Sequence, residues 1–256
     1  MGGCLMRLFK DLDTKLARQT ACEMFEDVRE FAYYTPYVAT VTDKVFNIEG
    51  NLFYPDANVT VADFLYSLSK LFDSDKKKSI DGVSISEDYF NQGYNFCLSG
   101  YSSYFYKLYT RKELNTPITR VEVGYILVMC TNLFRDKFGS IFDGKYSVGY
   151  TFDWLHSKSV TEKFKDASNY KVSTVSDNNK VIIYNLKDYI DSDMTSLRGD
   201  MTCGLSPIPL PMFASLEELG QLDLFHFQDS NLEPLSELSR GELCYLLYNL
   251  DKEFNS

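Results

Sequence analysis

The sequence predicts a mainly α fold of three helix-loop-helix units, with an inserted α+β segment between the second and third. Three observations predict it. One helix-start pattern occurs three times, apolar residues after each start repeat at helical spacing, and one intervening stretch alternates like a β-hairpin. The units are expected at residues 25–73, 88–134 and 208–252, after an N-terminal segment at 1–24, with the insertion at 135–205.

The helix starts come first. Val59-Thr60-Val61-Ala62-Asp63-Phe64, Ile118-Thr119-Arg120-Val121-Glu122-Val123 and Leu238-Ser239-Arg240-Gly241-Glu242-Leu243 share one pattern: apolar, Thr or Ser, two residues, an acid, apolar. Thr60, Thr119 and Ser239 are expected N-caps. Asp63, Glu122 and Glu242 stand where a capping-box acid reaches back and where the helix dipole favours negative charge. Val59/Phe64, Ile118/Val123 and Leu238/Leu243 occupy the two positions of a hydrophobic staple.

The stripes that follow agree. Leu243, Leu246, Leu247 and Leu250 lie at i, i+3, i+4 and i+7, as do Val123, Ile126, Leu127 and Cys130; Phe64, Leu68 and Leu71 repeat the stripe with Ser67 in its second slot. Tyr66, Tyr125 and Tyr245 fill one further matching position. Pro55 and Pro234 both stand five residues before a cap, and Pro117 two before. Upstream, Phe25-Glu26-Asp27-Val28 leads into an amphipathic set of Phe31, Tyr34, Val38, Val41 and Val45, and Met212, Leu216, Leu219 and Leu222 do the same before the third cap. Within the insertion, residues 171–175 and 180–184 around Ser176-Asp177-Asn178-Asn179 read as a β-hairpin. A degenerate extra unit is the alternative, because Ile182, Leu186 and Tyr189 also repeat helically.

Charge and motif content exclude several functions. The formal net charge of −10, from 36 acidic and 26 basic side chains, disfavours nucleic acid as a partner. The one basic run, Lys76-Lys77-Lys78, is flanked by Asp73, Asp75 and Asp81 and reads as a solvated loop. That loop lacks the bidentate acid of a calcium-binding EF-hand, having Ser84 there. The most apolar stretch, 121–130, is far short of the ~18 residues of a membrane span, so membrane insertion is not expected. The 6 cysteines form no C-x-x-C pair, and His156 and His226 adjoin no cysteine cluster, so neither a metal nor a cofactor is expected. Cys130 and Cys244 read as small core residues. No G-x-S-x-G, H-E-x-x-H or Gly-rich phosphate loop occurs, Glu217-Glu218 reads as a solvated helix face, and His226 between two phenylalanines reads as structural. An enzyme is not expected. Asp11, Asp13 and Lys15 arrive too soon for a secretory signal, so synthesis in the cytoplasm is the expectation.

Phe25-Glu26-Asp27-Val28, Phe53-Tyr54-Pro55 and the two cap motifs with arginine resemble the S-layer homology (SLH) family. The likeness covers a little over half of the chain and is fullest in the first unit. It implies a pseudo-threefold packing of the units and a non-enzymatic module that docks onto a secondary polymer of Gram-positive cell walls, often through a ketal-linked pyruvate. It also implies that Arg120 and Arg240 are anion contacts. Thr119 and Glu122, Ser239 and Glu242, and Asp27 of the opening motif are candidate contacts beside them. A guanidinium suits that task because it grips a carboxylate with two parallel hydrogen bonds and stays charged. The first unit has Val61 in place of the arginine, and the groove tryptophan of the family has no counterpart, since Trp154 lies outside the units. Such a module without an export signal suits a virion or phage-tail-like particle acting at the bacterial surface. The alternative from the residues themselves is an architectural repeat used for assembly with other proteins.

Overall fold

The computed structural model describes residues 9, 12–46, 48–71, 77–80, 83–86, 115–125, 127, 164–166, 169–175, 181–185, 208–209, 224–227 and 230–254. About half of these are helical and few lie in strands, so the fold is mainly α. They group into two compact units. One comprises Met1–Ile118, Asp223–His226 and Glu237–Ser256, the other Thr119–Leu222 and Phe227–Ser236.

In the first compact unit, α1 (Thr14–Met24) starts where the Asp13 carboxylate accepts from the Lys15 and Leu16 amides. This helix was no part of the sequence prediction. Arg18 on it donates to the carbonyls of Glu30 and Ala32, pinning the turn before α2 (Thr35–Val45). Tyr34, Val38, Val41 and Val45 are buried as their spacing predicts, but Phe31 sits in that turn and is 87% exposed. Pro36 is the reason. It opens α2 and has no amide to give to Ala32, so the helix cannot extend back to Phe31.

Helix α3 (Val61–Leu71) buries Phe64, Ser67, Leu68 and Leu71, its predicted stripe. Strands β1 (Lys77–Ile80) and β2 (Val83–Ser86) pair antiparallel, with Ile80 opposite Val83. Lys77 and Lys78 thus belong to a strand, which corrects the expected solvated loop. The antiparallel pairing of residues 77–80 with 83–86 outweighs the run of charge. The last helix of this unit starts at Arg240 and ends at Phe254. It buries Leu243, Cys244, Leu246, Leu247 and Leu250 against α2 and α3. Phe9 lies on it through a bond from its amide to buried Asp251 (2.9 Å) and a ring contact with Tyr248. His226 is exposed and stacks on Tyr33 with ring centroids 4.0 Å apart.

The three residues before the caps close a cycle. The Val59 amide donates to the Leu238 carbonyl (2.8 Å), the Leu238 amide to Ile118 (2.8 Å), and the Ile118 amide to Val59 (2.9 Å). All three side chains are at most 1% exposed. A second set of bonds surrounds the first: the Val61 amide donates to Thr116, and the Arg240 amide to Ala57. Asn58 and Ser239, and Thr60 and Pro117, form isolated antiparallel bridges at the same place.

In the second compact unit, α4 (Arg120–Tyr125) buries Val121 and Val123, and Leu127 beyond it is also buried. The Arg120 amide donates to Ser236 and the Val121 amide to Pro234, matching bonds made by Arg240 and Gly241 to Ala57 and Pro55 in the first. Strands β3 (Lys171–Val175) and β4 (Val181–Asn185) form the expected antiparallel hairpin, and β5 (Ile208–Pro209) pairs parallel to β3. The helix expected around Met212 to Leu222, together with Cys130, Trp154 and Glu217-Glu218, lies outside the described residues. The last helix, Arg240–Phe254, is α5 below.

Gly241 marks the tightest approach. A Cβ built there would lie 2.7 Å from Cγ and Cδ1 of Tyr34, a buried ring that cannot swing aside as a chain end could. Gly241→Ala should therefore destabilise the fold by about 1–3 kcal/mol, read as a lower urea midpoint at unchanged slope. An unchanged midpoint would show that Tyr34 does not press on this glycine.

Candidate functional site

The caps form largely as their residue types dictate. Thr60 and Asp63 exchange reciprocal bonds, the amide of Asp63 donating to Thr60 Oγ1 (3.1 Å) and that of Thr60 to Asp63 (3.2 Å). Ser239 and Glu242 do the same at 3.2 and 3.1 Å. At the middle start the Thr119 amide donates to Glu122 (2.8 Å). Thr119, Glu122, Ser239 and Glu242 are thus engaged in shaping helix starts.

Asp27 has a comparable structural duty. Its two oxygens accept from the amides of Phe53 (2.8 Å) and Tyr54 (2.6 Å), clamping the first loop where Tyr54 takes a φ of 57°. Positive φ is costly for a non-glycine residue, and two charge-assisted bonds offset that cost. In the second compact unit, Asp166 accepts from Leu232 (2.8 Å) and Glu233 (2.9 Å), and Glu233 has a φ of 44°. The match extends further: Glu26 donates to Asn51 as Lys165 does to Ser230, and Ala57 to Tyr54 as Ser236 does to Glu233.

Phe164-Lys165-Asp166 is therefore the counterpart of Phe25-Glu26-Asp27, and it lies inside the segment expected to be an insertion. Sequence reasoning missed it because acid and loop are 26 residues apart in the first copy and 66 in the third. The Phe-x-Asp spelling was the available signal. The hairpin β3–β4 falls between this opening and its loop.

The two arginines have different surroundings. Arg120 is 7% exposed, and its Nη1 lies 3.2 Å from the Glu233 carboxylate and 3.4 Å from the Leu232 carbonyl. Tyr170 donates its hydroxyl to Asp166 (3.0 Å). Burial and that carboxylate push the hydroxyl up to about 12, so it remains a donor at neutral pH. Arg240 instead lays its guanidinium over the rings of Phe53 and Phe46, 4.8 and 5.0 Å from their centroids. Its Nε is buried with no hydrogen-bond partner, and its side chain makes no ion pair among the described residues. Burial lowers its pKa, and the charges of Asp63 and Asp27 oppose that. The third equivalent position is Val61, fully buried and uncharged.

The structure thus brings Arg240, Phe46, Phe53 and Asp27 together in the first compact unit, and Arg120, Glu233, Asp166 and Tyr170 in the second. Among the described residues no group of three His, Cys, Asp or Glu side chains could hold a metal, and no helix is long and apolar enough to cross a membrane. No family model, curated protein or solved structure matches this chain.

Burial pushes the Glu122 carboxyl above its usual range, opposed by hydrogen bonds from the amide and the side chain of Thr119. A raised acid stabilises the fold in its protonated form, so its contribution is full below about pH 4.5 and is lost as pH rises through the folded value. Glu122→Gln keeps an acceptor for the Thr119 amide and does not titrate. The variant should gain stability relative to wild type between about pH 4.5 and pH 7 in paired urea denaturations. A difference that stays flat or falls over that window contradicts this assignment.

Proposed function

We propose that the chain is a non-enzymatic carbohydrate-binding protein that docks onto an anionic secondary polymer of Gram-positive cell walls, as a component of a virion or tail-like particle. The SLH-like arrangement of three units belongs to this proposal. It is supported by the cyclic bonds among Val59, Ile118 and Leu238, which relate the three cap segments to one another in a closed order. The observation that carries the functional reading is Arg240. A half-buried guanidinium with aromatic walls and a desolvated Nε gives a carboxylate a stronger contact than a solvated arginine would. Of the two rings under the guanidinium, Phe53 is fully buried and Phe46 is part-exposed, so Phe46 offers the apolar face on which a sugar ring could pack.

A second reading, an assembly scaffold, has its own support. Val61 carries no charge, Arg120 is already paired, and a net charge of −10 opposes an anionic polymer. Sedimentation with Gram-positive sacculi separates the two. Wild type should pellet with intact sacculi and not with sacculi stripped of secondary polymer, and Arg240→Ala, checked for a native circular dichroism spectrum, should stay in solution. If the folded variant pellets like wild type, Arg240 is not the contact. If wild type fails on polymers from several hosts, the scaffold reading replaces this one.

A further inference from the structure

Resting on the reading of Arg240 as an anion contact, we infer that Glu233 is a built-in counter-anion that fills the Arg120 site, leaving the protein a single anion site. The argument compares two places with one backbone. Asp27 clamps Phe53 and Tyr54 as Asp166 clamps Leu232 and Glu233, and both loops carry positive φ at the second of these residues. The arginine after each cap donates its amide to the matching carbonyl, Ala57 for Arg240 and Ser236 for Arg120. The side chains differ at both clamped residues, Phe53 against Leu232 and, at the positive-φ position, Tyr54 against Glu233.

In the first loop that residue is Tyr54, which is 55% exposed and has no carboxylate to offer, and Arg240 lies on Phe46 and Phe53. In the third it is Glu233, whose carboxylate meets Arg120 at 3.2 Å. The contact is the same one, guanidinium to carboxylate, that an acidic sugar would make. It is supplied from within the chain, at no cost in translational entropy, so an external carboxylate must displace it to bind. Four residues after the clamping acid the copies differ again. Tyr170 donates to Asp166, whereas Phe31 has no hydroxyl. Polar partners thus fill the second place and leave the first to aromatic rings.

The test is stoichiometry, measured by titration calorimetry with a methyl hexopyranoside bearing a pyruvate ketal. Glu233→Tyr copies the first loop at a position whose backbone already accommodates tyrosine there, and Glu233→Gln is the conservative control for folding. Wild type should bind one equivalent and Arg240→Ala none, E233Y should bind two, and the double variant R240A/E233Y should bind one. If E233Y melts cooperatively but still binds one equivalent, and R240A/E233Y binds none, Glu233 does not close the site and the inference falls while Arg240 stands. If wild type binds none and R240A/E233Y binds one, the role of Glu233 stands and the reading of Arg240 falls. Absence of binding by every variant overturns both.

Discussion

A buried backbone amide needs a partner, and the residue before a helix cap has none within its own helix. Val59, Ile118 and Leu238 are each in that position, and each is buried because it is one jaw of a hydrophobic staple. Each satisfies its amide with the carbonyl of another, in a cycle that closes after three. One copy alone would leave a buried donor and acceptor unpaired, a loss of about 1–3 kcal/mol for each such group. The repetition of the cap motif is therefore a structural necessity as well as a pattern. The helices α3 and α5 leave this cycle with their apolar stripes already facing inward.

The loops depend on a second constraint. An aspartate holds each described loop by two adjacent amides, which lets a non-glycine residue sit at positive φ. In the second compact unit that residue, Glu233, stands next to Arg120. Arg240 meets the rings of Phe46 and Phe53, and Arg120 meets the carboxylate of Glu233.

The caps, stripes and staples were legible in the sequence because they are local: the residues that interact lie three to seven positions apart. The hairpin β3–β4 was legible for the same reason. Helix α1 was not, because its N-cap, Asp13, was read only as a charge that interrupts a leader segment. The turn at Phe31 escaped because periodicity outweighed Pro36. The long-range parts were harder. Asp27 was seen as a motif residue, but its duty as a loop clamp needs Phe53 and Tyr54 brought to it by the fold. Arg120 and Arg240 were read as equivalent because their cap motifs are alike. Their difference lies in Glu233 and Phe53, distant in sequence and carrying no mark of the pairing. Asp166 was hidden by the long stretch between it and its loop.

The central claim is that the cycle of Val59, Ile118 and Leu238 organises the chain, and native-state hydrogen exchange tests it most directly. All three amides should exchange only through global unfolding, with one shared free energy that falls with denaturant at the slope of the equilibrium transition. If any one of them exchanges through local opening, with a free energy well below the other two and insensitive to denaturant, the cycle is not the element on which the rest depends.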